Sequence, residues 1–140
     1  MRVSNVEVDA FGRLAVGGIH DAIVKELRFI EGLSFAIRLL GINGEDRTIR
    51  LDGVARIGFQ NVINGTIISD ILCFKLASPE VLEGEPKAAW RALLGEAYTE
   101  NGLQHTVSDL VTRYPDELLV VFESAYGGTI TAICSEIECV

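Results

Sequence analysis

Proline is nearly missing from this 140-residue chain. Its three copies, Pro79, Pro86 and Pro115, all lie in the second half, so nothing before Pro79 interrupts a backbone hydrogen-bond ladder. Cysteine is as scarce. Cys73, Cys134 and Cys139 are an odd number without paired-ligand spacing, which excludes a disulfide framework and a cysteine-rich zinc site. On one regular strand Cys134 and Cys139 would face opposite ways about 16 Å apart, so the cysteines are read as buried reduced thiols. No run approaches the roughly 18 uninterrupted apolar residues of a membrane-spanning helix. The first residues carry Glu7 and Asp9 where a signal peptide has its apolar stretch. A cytoplasmic chain with no membrane partner is the expectation.

Positive charge is also lacking, and unevenly so. Residues 1–75 carry nine basic and nine acidic side chains, whereas residues 76–140 carry three basic and eleven acidic, so the whole net charge of −8 arises in the second part. Phosphate binding needs a positive surface, which argues against nucleic acid as a partner. A basic protein partner is electrostatically permitted, although an acidic surface also serves solubility alone.

What is present is strand signal. Hydrophobic residues make up 49% of the chain and 14 glycines add to them, above the usual apolar share of about 45–50%. That excess fits strands buried on both faces, or an apolar patch covered in a homo-oligomer. Leu33, Phe35, Ile37 and Leu39 recur at every second position, the period of a half-buried strand, and Asn43-Gly44 supplies a hairpin turn. Ile49 and Leu51 alternate with Thr48, Arg50 and Asp52, and Ile57 and Phe59 continue that phase. Gly53 and Gly58 mark bulges or close packing. Ile67 to Leu76, broken by Ser69, Asp70 and Lys75, reads as a central strand after the turn Asn64-Gly65. Residues 117–124 read as a strand buried on both faces. Tyr126-Gly127-Gly128 is then a turn, and residues 129–140 form a last strand with Ile133 and Ile137 on one face. Residues 19–30 fit both helix and strand. The short connection at Glu31-Gly32 favours a hairpin, hence a strand. One helix is expected near residues 86–100, with Pro86 in its first turn, an apolar stripe of Trp90, Leu93, Leu94 and Ala97, and a left-handed stop at Asn101-Gly102. The fold class is α+β, mainly β: a single domain over residues 1–140, built as an antiparallel sheet or β-sandwich of about seven strands with that one helix.

Chemistry-bearing motifs are few. Only His20 and His105 are histidines, no Gly-x-Ser-x-Gly occurs, and Gly12, Gly17 and Gly18 do not make a phosphate loop. No catalytic residue, metal ligand or cofactor is therefore expected. The candidate ligand-binding residues are His20, Asp21, Asn61 and Tyr126. His20-Asp21 is the most notable local pair, read either as a polar site with Asp21 orienting His20 or as a turn in which Asp21 bonds backbone N–H groups. Asn61 and Tyr126 are read as turn residues first and ligand contacts second, and Trp90 as core.

Gly18-Ile19-His20-Asp21-Ala22, Leu51-Asp52-Gly53-Val54, Gln60-Asn61-Val62-Ile63 and Ser124-Ala125-Tyr126-Gly127-Gly128 together resemble small bacterial β-rich proteins that open with an N-terminal His-Asp-Ala motif. Some of these resemble immunity proteins encoded beside polymorphic toxins. The resemblance implies a binder without catalytic residues, and the acidic second half would suit a basic toxin. Two alternatives stand beside a non-enzymatic protein-binding module: a small ligand-binding protein or enzyme with a pocket near His20-Asp21, and a homo-oligomeric structural protein.

Overall fold

The computed structural model describes the backbone of residues 2–4 and the whole of residues 8, 12–14, 19–63, 65–126 and 128–140. Gly17, Gly18, Asn64 and Gly127, named above, lie outside the described residues.

Among the described residues the alternating stretches become nine strands: β1 (Arg2–Ser4), β2 (Ala22–Ile30), β3 (Ser34–Leu40), β4 (Asp46–Asp52), β5 (Arg56–Gln60), β6 (Ile67–Lys75), β7 (Leu118–Ser124), β8 (Thr129–Cys134) and β9 (Glu136–Cys139). Helices α1 (Pro79–Leu82), α2 (Lys87–Leu94) and α3 (Leu103–Arg113) fill the connection from β6 to β7, with a 3-10 turn at Gly95–Ala97. The pairing order is β1-β9-β4-β3-β2-β6-β7-β8-β5. Eight strands are antiparallel to one another, and β1 adds in parallel to β9. The sheet is open, with β1 and β5 at its edges.

The chain joins the two ends of this order. β4 continues into β5 through residues 53–55, and β8 continues into β9 through Ser135 alone. The two form one bent ribbon, β4 against β9 on one side of the bend and β5 against β8 on the other. The sheet therefore folds over into two leaves, β1-β9-β4-β3-β2 and β6-β7-β8-β5. They meet again where Ala22 and Ile23 pair with Ile68 and Ile67. Strands that change leaf at a bend are the corners of orthogonal sheet packing.

Gly53 permits the bend. Its φ is +62°, and a Cβ there would collide with the Ser135 side chain. The Ser135 N–H and hydroxyl both donate to the Asp52 carbonyl at 3.0 Å. Ser135 also inserts one residue into the alternation. Cys134 and Ile137 consequently both face the main core, while Ile133 faces a second one. Ile133 and Ile137, expected on one face of an unbroken strand, are separated for this reason.

The main core fills the space between the leaves, with Phe35, Ile37 and Leu51 opposing Ile71, Val120 and Phe122. Each such side chain contributes about 1.5–3 kcal/mol on burial. Leu119 and Val121 point the other way, into the second core, against Trp90, Val107 and Leu110 of the helices. The expected burial of residues 117–124 on both faces is thus observed over β7. The outer face of the first leaf is instead a charged lattice. Arg38 reaches Glu26 and Asp46, and Arg50 reaches Asp52 and Glu138, all within 4.0 Å, and no helix of the described residues covers it.

Three expectations need correction, with elements counted among the described residues. There are nine strands rather than about seven, because the bend divides two long strands and β1 joins the edge. There are three helices rather than one near residues 86–100. α2 stops at Gly95, whose φ of +57° closes it, and Pro86 caps it rather than lying inside it. Gly102, expected as a left-handed stop, has a φ of −93° and caps the start of α3. The α3 stripe of Leu103, Val107 and Leu110 is buried.

Gly58 lies directly beneath α2, where an added Cβ would overlap the Ala92 carbonyl and the Leu93 backbone. Backbone cannot swing aside, so Gly58→Ala is expected to cost about 1–3 kcal/mol. A urea midpoint equal to that of the parent protein would refute this contact.

Candidate functional site

Four strands and a turn bring the sequence candidates to one end of the folded sheet. Residues 19–22 form a tight turn closed by Ala22 N–H donating to the Ile19 carbonyl at 2.9 Å, and the Asp21 N–H donates to Ile68 at 2.8 Å. Ile19 is buried in the main core, so it anchors the turn and leaves His20 and Asp21 at its exposed corner. Asp21 adopts a φ of +62°, a conformation that Asp and Asn tolerate better than other side chains. Ile68 pairs in turn with Ser124, and the Ala125 N–H donates to the Ile67 carbonyl at 3.2 Å. That places Tyr126 at the same end, with its N–H donating to Ser124 Oγ at 3.1 Å. Asn61 follows β5 at a φ of +54°, and its carbonyl lies against Gly128.

Of these four residues, the described contacts join only His20 and Asp21, at 3.7 Å between Nε2 and Oδ2. Asn61 and Tyr126 share the end of the sheet but are exposed turn residues. The positive φ at Asp21 and Asn61 accounts for both identities without a ligand. Asp21 serves its turn through its backbone, and its side chain reaches His20.

The neighbours of His20 were not among the candidates. Its Nδ1–H donates to the Ser69 carbonyl at 2.9 Å. That hydrogen bond, followed by the charge of Asp21 and more weakly of Asp70, raises the imidazole pKa above 6.5. Asp70 stands directly opposite Glu123 across β6 and β7. Partial burial, then the charge of Asp70, raises the Glu123 carboxyl. Like charges opposite each other across a ladder repel. The signal in the sequence was the break that Ser69 and Asp70 make in the apolar run of β6. What it lacked was the register that sets Asp70 against Glu123 and the Ser69 carbonyl against His20. The arrangement can hold a proton or a cationic group at the surface.

A second surface lies on the helical layer. Glu80, Glu83 and Glu85 are exposed, and none has an ion-pair partner among the described residues. Leu82, in the same segment, is 43% exposed. Beside them, Lys75, Ala77, Ser78, Pro79, Pro115 and Asp116 line a depression of about 390 Å³. A third surface is an apolar cleft of about 290 Å³ between the β2–β3 hairpin and β5. None of the four sequence candidates lines either cavity.

The thiols are buried to different degrees. Burial pushes Cys73 up to about 11 and raises Cys134 further, while Cys139 is raised and only half-buried. The thiolate is the reactive form, so a disulfide reagent at mildly alkaline pH should label Cys139 before Cys73 and Cys134. Equal labelling rates in the native protein would contradict this packing. The His20 shift carries a sign. Its folded pKa is raised, so its contribution to stability is complete below 6.5 and is lost as pH rises through the folded value. A proton-resonance titration should place His20 above 6.5, and Asp21→Asn should lower it. An unchanged midpoint would remove Asp21 as a cause.

Comparison with protein-family models, curated proteins and solved structures finds no match to this chain, so the reading of its function rests on the geometry above.

Proposed function

We propose that the chain is a non-enzymatic protein-binding module, immunity-like in the sense that its His-Asp-Ala resemblance implies, and that it takes a basic protein partner on its helical layer. The observation that carries this reading is the acidic rim of α1. Glu80, Glu83 and Glu85 are free of ion pairs among the described residues and flank the half-exposed Leu82 in sequence. Exposed unpaired carboxylates beside an apolar side chain match the composition of a contact patch, with an apolar core and a charged rim.

Charge elsewhere reinforces the direction of the field. Residues 79–117 carry eight acidic and three basic side chains. Two of the three bases, Lys87 and Arg91, are already drawn to Glu100 at 3.5 and 3.4 Å. Three of the remaining acids, Glu80, Glu83 and Glu85, lie in and just after α1, near the 390 Å³ depression, whose lining also includes Lys75. A field of this kind raises the encounter rate with a basic protein and decays over about 10 Å at 0.1 M salt. The alternative reading, a ligand pocket at His20-Asp21, has the exposed imidazole and its carboxylates but no enclosing walls among the cavities described.

A photo-crosslinking residue placed at Leu82 should capture one basic protein in cells that make this chain, and the same residue at Ile42, an exposed turn position, should not. Neutralising the rim with Glu80→Gln, Glu83→Gln and Glu85→Gln should slow association about tenfold at low salt. Capture at Leu82 no stronger than at Ile42, or association unchanged by the triple replacement, would overturn the reading.

A further inference from the structure

We propose that a second copy of this chain docks on β5, edge to edge, so that the helix-covered leaf continues through a two-fold dimer. The proposal goes beyond the basic-partner reading and uses a different surface.

The first observation is a lightly defended edge. β5 ends the pairing order, and among the described residues its only strand partner is β8. Natural edges are blunted by brevity, proline, charged side chains, a bulge or a cover, and of these β5 has one charge, Arg56, and α2 packed at Gly58. β1, at the opposite end, is three residues long. β5 has five residues, Arg56–Gln60, without proline, lysine or a register shift.

The second observation is the apolar surface beside that edge. The 290 Å³ cleft is lined by Phe29, Leu33, Phe35, Val54 and Ile57, with Arg56 at its rim. Phe29 is 70% exposed and Leu33 72% exposed. Leu33 also has a φ of +64°, a strained conformation for a large apolar residue. Its carbonyl accepts the Val54 N–H at 2.8 Å, which fixes the hairpin tip over the cleft. The rings of Phe29, Phe35 and Phe59 form a row with centroids 4.8 and 5.8 Å apart. Neither turn chemistry nor core packing calls for leucine at position 33, whereas a covering partner would.

The third observation is charge, and it selects the occupant. Two copies of a −8 chain repel over most of their surface. At this edge the charges cancel. Arg56 and Glu31 are single opposite charges with no ion-pair partner among the described residues. α2, which packs over β5 at Gly58, has both its cations held by Glu100. A two-fold contact presents the same patch twice, so the free cation and free anion of one copy meet the same pair on the other.

Light scattering after gel filtration, over a dilution series, should give twice the 15.2 kDa chain mass, and hydrogen exchange should show the amides of β5 slowed in the concentrated sample. Leu33→Asp tolerates the positive φ and adds a charge to the patch. It should raise the dimer dissociation constant at least tenfold with an unchanged circular-dichroism spectrum. Phe29→Ser, at a position also largely exposed, provides the same test should Leu33→Asp not fold. A monomer at every concentration would overturn the proposal. A dimer that both variants leave intact, or one whose β5 amides exchange as fast as in the dilute protein, would overturn it equally.

Discussion

The contact on which the architecture turns is the double hydrogen bond from Ser135 to the Asp52 carbonyl. It clamps two chains at the point where each leaves one leaf for the other. Gly53 makes the clamp possible, because a side chain there would occupy the place of the Ser135 hydroxyl. Without the bend, β4-β5 and β8-β9 would be one flat ribbon, and the apolar faces of the two leaves would not oppose each other. The bend also sorts the side chains. One residue of extra chain at Ser135 sends Ile133 to the helices and Ile137 to the space between the leaves. Two cores thus arise from one continuous stretch of sequence.

Helix placement follows from that sorting. The outer face of the first leaf carries Arg38, Arg50, Glu26 and Glu138 in mutual contact and needs no cover. The outer face of the second leaf carries Leu119, Val121 and Ile133, which water would penalise by about 25 cal/mol per Å². The segment between β6 and β7 supplies the cover, with Trp90, Val107 and Leu110 as its inner face. Its outer face is free to be acidic. Eight of the eleven acids of residues 76–140 lie in that cover, and the proposed partner surface is its solvent side.

Local pattern made the strands legible. Alternation at Phe35, Ile37 and Leu39, the turn at Asn43-Gly44 and the apolar run of β6 each survive as read, but Leu33, expected on the same buried face, lies in the turn before β3 and is exposed. The choice of strand over helix for residues 19–30 also holds, since Glu31-Gly32 leaves room only for a hairpin. What local pattern could not carry was register and parity. A bend of one residue is invisible in a stretch that remains apolar on both sides, so the last strand read as unbroken. α3 was hidden differently: Leu103, Val107 and Leu110 have helical spacing, but Asn101-Gly102 in front of them resembles a stop. In the structure Gly95 ends α2 and Gly102 begins α3. At the candidate site, His20 and Asp21 were legible as a pair because they are adjacent. Ser69, Asp70 and Glu123 were not, because only the pairing of β2 with β6 and of β6 with β7 brings them there.

The same logic separates the residues that the fold explains from those it leaves over. Asp21 and Asn61 have conformations that account for their identities, and Trp90 fills the second core. Leu33 is the opposite case. Its conformation disfavours it, its exposure gains nothing from the core, and a glycine or asparagine would fit the turn with less strain. Glu80, Glu83 and Glu85 are also left over, since no cation of the described chain meets them and α1 has too few turns to require them. Residues that fold stability does not select are those in which a second molecule can have a share. Here they divide into an apolar edge whose few charges balance and an acidic helix rim. Two such different surfaces on one chain favour two different kinds of contact, one with its own copy and one with a partner of opposite charge.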